Sequence, residues 1–300
     1  VIIDFSVARP AAAVQKKAGV TAVGRYLGWD SVPGYASIGK NITPAEARTY
    51  LAAGIAIFLA FEYGPQAATG GYAQGIADGA LAAEQLAALG APDGTVVYFT
   101  VDFDLPDYAP SLPDTPVNAR AKLGPVAHYF DGIAQAIAGA AHAGTYLRPG
   151  VYGGYYAVKR VLDAGLAVMG WQTTAWSGGQ VDRDPRVVLY QTGATTLGGA
   201  DVNVHEGTAA DFGQWPRPAA PHPAPPPAPS AQERLSMIIV TVDRAGVPPG
   251  KPWPGVFLHY GPKLLYHIPD QAELELYRRL GYPEHAKPLP YADYLLLGGK

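Results

Sequence analysis

The chain has 300 residues, of which 48% are hydrophobic and 16% charged, with a formal net charge of −3. That suits one large domain or two unequal ones, and it leaves no basic footprint for a nucleic-acid partner held through phosphates. The absence of cysteine excludes disulfides, thiolate metal sites and a cysteine nucleophile, and no apolar run reaches the length of a membrane span.

Taken in order, Val1-Ile2-Ile3-Asp4-Phe5 reads as a strand with Ile2 and Asp4 on one face. No basic n-region or apolar signal segment precedes it, so the expectation is a chain made without a visible signal peptide, or one already processed. Pro10 to Gly19 reads as a short helix and Thr21 to Leu27 as a second strand. Thr43-Pro44-Ala45-Glu46 combines a Thr cap, Pro at the first position and Glu three residues on, which starts a helix running to Gly54. Ile55 to Glu62 is a third strand that ends on a carboxylate. Gly71 to Gly90 is an alanine-rich helix.

Val96 to Asp104 is the fourth strand. Val97, Phe99, Val101 and Phe103 share one face; Tyr98, Thr100, Asp102 and Asp104 share the other. Two carboxylates at i and i+2 have Cα atoms roughly 6.5–7 Å apart, close enough to work on one bond. Leu105 to Thr115 is a loop, Val117 to Ala143 a long helix, Arg148 to Gly153 a fifth strand and Tyr155 to Gly165 a helix. Ala167–Thr174, Arg186–Gln191 and Asp201–His205 complete eight strands, joined by Gly-rich connections without helical period. Strands alternating with about five helices predict an α/β fold: a parallel sheet closed as a TIM-like barrel, with the last helices reduced.

The barrel is expected over residues 1–215. A proline-rich linker follows over 216–235, extended as polyproline II. Residues 236–300 form a small C-terminal α+β module suited to docking or binding, with strands at Met237–Val242 and Val256–His267 and a helix from Pro269 to Gly281.

In such barrels the site lies at the C-terminal ends of the strands. Asp4, Glu62, Asp102, Asp104 and Asp201 are the candidate catalytic carboxylates on that rim. Gln172, Gln191 and Asn203 are candidate wall residues, and Tyr26, Tyr63, Tyr152, Trp171 and Trp176 are candidate substrate platforms. Paired carboxylates with aromatic faces suit a sugar site, one acid protonating the leaving oxygen and another stabilising or attacking the ring. Other roles stay open at this point: Asp4 as a loop cap, Glu62 as a structural partner of Arg25, His205 as a core histidine. Asp-x-Asp also holds divalent metal with sugar nucleotides, but no phosphate cradle accompanies it here, and no cofactor or metal is expected.

Residues 1 to about 213 resemble the glycoside-hydrolase-like domains of actinobacterial and phage proteins, which are similar to family 25 lysozymes. The resemblance rests on Ile3-Asp4-Phe5, Tyr98-Phe99-Thr100-Val101-Asp102-Phe103-Asp104, Trp171-Gln172, Tyr190-Gln191 and Asp201-Val202-Asn203. It implies muramidase-type action on peptidoglycan, with Asp4 and Asp201 shaping the site, Asp102 as stabiliser and position 104 as the general acid. The lysozymes carry Glu there, and this chain carries the shorter Asp104. Glu62 is the alternative acid. The last 65 residues or so faintly resemble small modules of phage lysins and tail proteins around Leu264–Ile268 and Ala272–Tyr277. That implies a phage lysin or virion protein with tail partners through 236–300. The alternative is a non-catalytic wall-binding or tail protein that keeps the groove.

Overall fold

The computed structural model describes residues 1–31, 39–141, 146–207 and 209–216, and three further strands at 237–241, 256–260 and 264–268. The chain divides into two compact units, Val1–Ala224 and Pro225–Lys300.

In the first unit eight strands close a barrel in chain order. They are β1 (Ile2–Asp4), β2 (Ala22–Leu27), β3 (Ala56–Phe61), β4 (Thr95–Val101), β5 (Leu147–Gly153), β6 (Met169–Gln172), β7 (Val187–Leu197) and β8 (Ala200–Gly207). The helices are α1 (Ala12–Lys17), α2 (Pro44–Ala52), α3 (Gly71–Leu89), α4 (Ala119–Leu123), α5 (Pro125–Ala141) and α6 (Tyr155–Asp163). All seven residues of β4 are buried, as a strand covered by helices outside and filled barrel inside must be. Its alternation divides two cores. Val97, Phe99 and Val101 pack with the helices, while Val96 and Tyr98 join Phe58, Trp171 and Phe212 inside the barrel. Gly150 and Gly24 make the interior possible: a Cβ on Gly150 would lie 2.6 Å from the Tyr98 ring, and one on Gly24 2.7 Å from Phe58.

Three expectations about the barrel are corrected. The sheet is not parallel throughout: β8 runs antiparallel to both β7 and β1. The stretch expected as a Gly-rich loop is a hairpin. Gly198 and Gly199 both take positive φ, 58° and 81°, the requirement of the tight turn whose twist matches its strands. The expected long helix is also two. At Gly124-Pro125 the glycine adopts φ 55° and the proline lacks the N–H that would continue the ladder, so α4 ends and α5 begins.

Below the barrel, Trp215 exchanges both backbone hydrogen bonds with Ile57, at 2.6 and 2.7 Å. This brings Phe212 into the interior, where its carbonyl accepts from Tyr98 Oη at 2.7 Å. The segment closes the mouth at the N-terminal ends of the strands and does not reach the opposite one.

In the second unit β9 (Met237–Thr241), β10 (Val256–Tyr260) and β11 (Leu264–Ile268) form an antiparallel sheet in the order β11-β10-β9. The single strand expected over Val256–His267 is thus two paired strands. The expected helix from Pro269 and nearly all of the linker lie outside the described residues.

On the outer face α3 and α5 approach until their backbones touch. A Cβ on Gly75 would fall 1.9 Å from the Tyr129 carbonyl oxygen, and one on Gly132 2.1 Å from that of Tyr72. Gly75→Ala must push the two helices apart, and a loss of about 3 kcal/mol or more is expected from chemical denaturation. Between these helices Asp78 is buried, accepting from Tyr129 Oη and Gln74 Nε2, each at 2.7 Å. Burial lifts its carboxyl to about 6 against the opposing pull of these donors. A value raised on folding contributes stability that is complete below the unfolded value of 3.8 and is lost as pH rises through about 6. Asp78→Asn is expected to flatten the change in unfolding free energy between those two pH values in urea titrations. An unchanged slope would refute this.

Candidate functional site at the open mouth of the barrel

β1 is short and its last residue, Asp4, points into the mouth, 1% exposed. A buried carboxylate is tolerated only when its oxygens are hydrogen-bonded. Tyr26 Oη donates to Oδ2 at 2.9 Å and Asn203 Nδ2 to the same oxygen at 3.3 Å. His205 Nε2 lies 2.6 Å from Oδ1. His205 Nδ1 has no partner among the described residues, so the ring proton sits on Nε2 and is donated to Asp4. Because β8 runs downwards, Asn203 stands beside Asp4 and His205 beside Ile2. His205 therefore packs inside the barrel on Trp171 and Phe58, with ring centroids 5.0 and 6.0 Å away.

Glu62 follows the last residue of β3 and is also buried. Its partner is not Arg25 but Lys40, whose Nζ lies 2.5 Å from Oε2. Burial raises the Glu62 pKa and Lys40 opposes the rise, while Asp102 and Asp4 add to it. The same ammonium stands over the rings of Tyr26 and Trp29, 4.2 and 4.1 Å from their centroids. The backbone beside it is stapled. Asp30 accepts from Lys40 N at 2.8 Å and Asn41 N at 3.0 Å. Arg25, fully buried on the outward face of β2, donates to the carbonyls of Lys40, Ser6 and Phe5 and pairs with Glu46 at 2.7 Å.

Asp102, just past β4, is half-buried. Burial raises its pKa and Lys40 lowers it. Tyr152 on β5 is pushed up by burial, and then by the charges of Asp102, Asp4 and Glu62, against a hydrogen bond with Thr173. Its Oη donates to Gln191 Oε1 at 3.4 Å, where Thr173 Oγ1 also donates at 3.0 Å. Tyr26 is raised by burial and by Asp4, Tyr152 and Glu62. Asp4, Tyr26, Glu62, Asp102 and Tyr152, from five successive strands, thus share one electrostatic environment with Lys40 as its ammonium. Beside it Thr173 and Gln191 also line a groove of about 360 Å³ with Tyr190, Arg183 and Glu206.

Other candidates stand elsewhere. The pleat of β4 stops at Val101, so Asp104 does not continue the face of Asp102. It is exposed. Asp201 pairs with Thr196 in the hairpin, past the end of β1, and its side chain lies outside the described residues. Trp171 is no open platform: it is 1% exposed and packs edge-on against Tyr152, centroids 4.8 Å apart. Gln172 faces away from Trp171 and, though it lines the same groove as Thr173 and Gln191, is engaged by its own loop, donating to Ser177 Oγ and the Gln180 carbonyl and accepting from Asp182 N. Tyr63 is half-buried against the outer core. Trp176 is exposed at a positive φ of 56°, a conformation uncommon for such a residue. Lys40 was not legible in sequence, since it falls in no periodic segment; Trp29 was legible only as an aromatic that follows strand two beside Tyr26. Among the described residues no group of three or more His, Asp or Glu is placed to hold a metal ion, and no helix is long and apolar enough to cross a membrane.

The family described as Rv2525c-like, glycoside hydrolase-like domain, matches residues 12–206. The chain belongs to that family. Two crystal structures of the Tat-secreted protein Rv2525c of Mycobacterium tuberculosis, with HEPES and with L-tartrate, superpose with TM-scores of 0.56 and 0.57 at 23% identity. Each covers 71% of this chain and 98% of that one. At that identity the likeness establishes the fold of this Rv2525c-like domain. The modular autolysin LytC of Streptococcus pneumoniae reaches a TM-score of 0.41 at 16% identity, over 68% of this chain and 45% of that one, which supports no further comparison. No curated protein matches.

The Arg25 clamp makes a prediction. Arg25→Met leaves Glu46 short of a partner and three carbonyls short of a donor, so a loss of about 3–5 kcal/mol is expected in denaturant unfolding. A loss under 1 kcal/mol would mean the clamp is ornamental.

Proposed function

We propose that the open mouth binds a β-linked glycan of the bacterial cell wall and hydrolyses it in the manner of a muramidase. The observation that carries this is the meeting of Asp4, Glu62 and Asp102, contributed by separate strands, beside Tyr26 and Tyr152 at the end of the barrel where chemistry is found. In this reading Glu62, which burial biases towards the protonated form, delivers its proton to the bridge oxygen as the glycosidic bond breaks. Asp102, or the acetamido group of the sugar, stabilises the cationic ring. Water then adds to the ring carbon and returns a proton. Asp4, held by Tyr26, Asn203 and His205, stays fixed and shapes the pocket, and Trp176 offers an exposed face for a neighbouring sugar.

A second reading is a barrel that binds wall glycan without cleaving it. It is favoured by the ammonium of Lys40 on Glu62 and by the exposure of Asp104, the position to which the lysozyme resemblance assigns the acid. Action outside the producing cell fits the Tat-secreted status of Rv2525c. A place in a phage lysin or tail, with tail proteins meeting residues 236–300, rests on the sequence resemblance alone and belongs to the same proposal.

The test is release of soluble muropeptides from purified actinobacterial cell wall. Wild type is expected to release them, and Glu62→Gln and Asp102→Asn to fall by about 10²-fold or more. Sedimentation with the wall and no release from wild type decides for binding. Neither release nor sedimentation overturns both readings.

A further inference from the structure

Lys40 occupies the place a substrate would want. The rings of Tyr26 and Trp29 are the aromatic faces beside Glu62, and the ammonium lies 4.2 and 4.1 Å from their centroids. A sugar ring stacking on either face meets Lys40 first. The ammonium is also the ion-pair partner of Glu62, at 2.5 Å. One cation therefore covers the platform and neutralises the acid.

We propose that Lys40 is a displaceable counter-ion: a sugar ring taking its place on Tyr26 and Trp29 separates it from Glu62, and the carboxylate then takes up a proton from solvent and becomes the proton donor. The inference rests on the glycan reading of the mouth and adds what couples binding to chemistry there. No bond to carbon changes in this step. Glu62 gains one proton, Lys40 keeps its charge, and the site charge rises by one.

The geometry suits such a switch. The Lys40 backbone is fixed by Asp30 and by the guanidinium of Arg25, so only its four-carbon side chain needs to move. An ammonium on a flexible stem makes and breaks such contacts more readily than a planar guanidinium does. The charged groups left facing Glu62 push the same way once Lys40 leaves. Asp4 on β1 and Asp102 after β4 carry like charge; Tyr26 on β2 and Tyr152 on β5 are neutral phenols whose own ionisation burial disfavours. His205 is engaged with Asp4. Lys40 is the cation among the described groups that opposes protonation of Glu62.

The experiment follows the Glu62 side-chain carboxyl by carbon NMR across pH in the whole chain. Lys40→Met is expected to move its titration upward by about one pH unit or more, and Lys40→Arg to leave it near the wild-type position. Coincident curves for wild type and Lys40→Met overturn the coupling. The second measurement is calorimetry of an N-acetylated β-1,4-linked glucosamine oligosaccharide in buffers of different ionisation enthalpy. Wild type is expected to take up roughly half a proton per ligand near the wild-type titration midpoint, and Lys40→Met markedly less. Binding without proton uptake by wild type overturns the displacement. No binding by either protein overturns the glycan reading, and the displacement with it, while the NMR result still decides the ion pair.

Discussion

The structure is organised around the difficulty of keeping carboxylates out of water. Three of them meet at one mouth, and an isolated buried carboxylate is costly by several kcal/mol. Each is accommodated differently. Asp4 is surrounded by donors from β2 and β8. Glu62 has an ammonium brought from the β2–α2 connection. Asp102 remains half in solvent. These three solutions give three environments on one rim: a carboxyl enclosed by donors, one paired with an ammonium, and an accessible one beside them.

Much of the support is remote from the mouth. Arg25 faces the helices, yet its donors decide where the Lys40 carbonyl sits. Gly24 and Gly150 have no side chains, yet their lack of Cβ admits Phe58 and Tyr98, on which the Trp171 and His205 rings rest. His205 in turn supplies the shortest hydrogen bond to Asp4. The packed interior and the polar rim form one continuous stack, and its geometry is set from below.

Period-two alternation made the barrel and the inward faces of β1 to β4 legible, because a strand buried on both sides leaves an apolar record broken only where a polar residue turns inward. It misled where that period ended or reversed. Asp104 shares the parity of Asp102, but the pleat stops at Val101. Trp171 is aromatic and near the rim in sequence, but parity alone cannot separate a platform from a filler of the core. Gly198-Gly199 carried the hairpin signal, which was masked by the surrounding glycine and threonine. Lys40 sits in an aperiodic stretch, and only tertiary contacts give it a role. Gly124-Pro125 marked the helix break openly; apolar periodicity on either side outweighed it.

The reversal of β8 has a corollary. On this strand, neighbouring residues present alternately to the pocket and to the hydrophobic outer layer: Asn203 and His205 to one, Val202 to the other. The phase of that alternation is set by the length of the Gly198-Gly199 turn. Lengthening or shortening it by a single residue would slide valine into the place of histidine and asparagine, leaving Asp4 with Tyr26 alone of its three donors. The tip is therefore held twice over, its length by a pocket it never touches and its two glycines by their own positive φ.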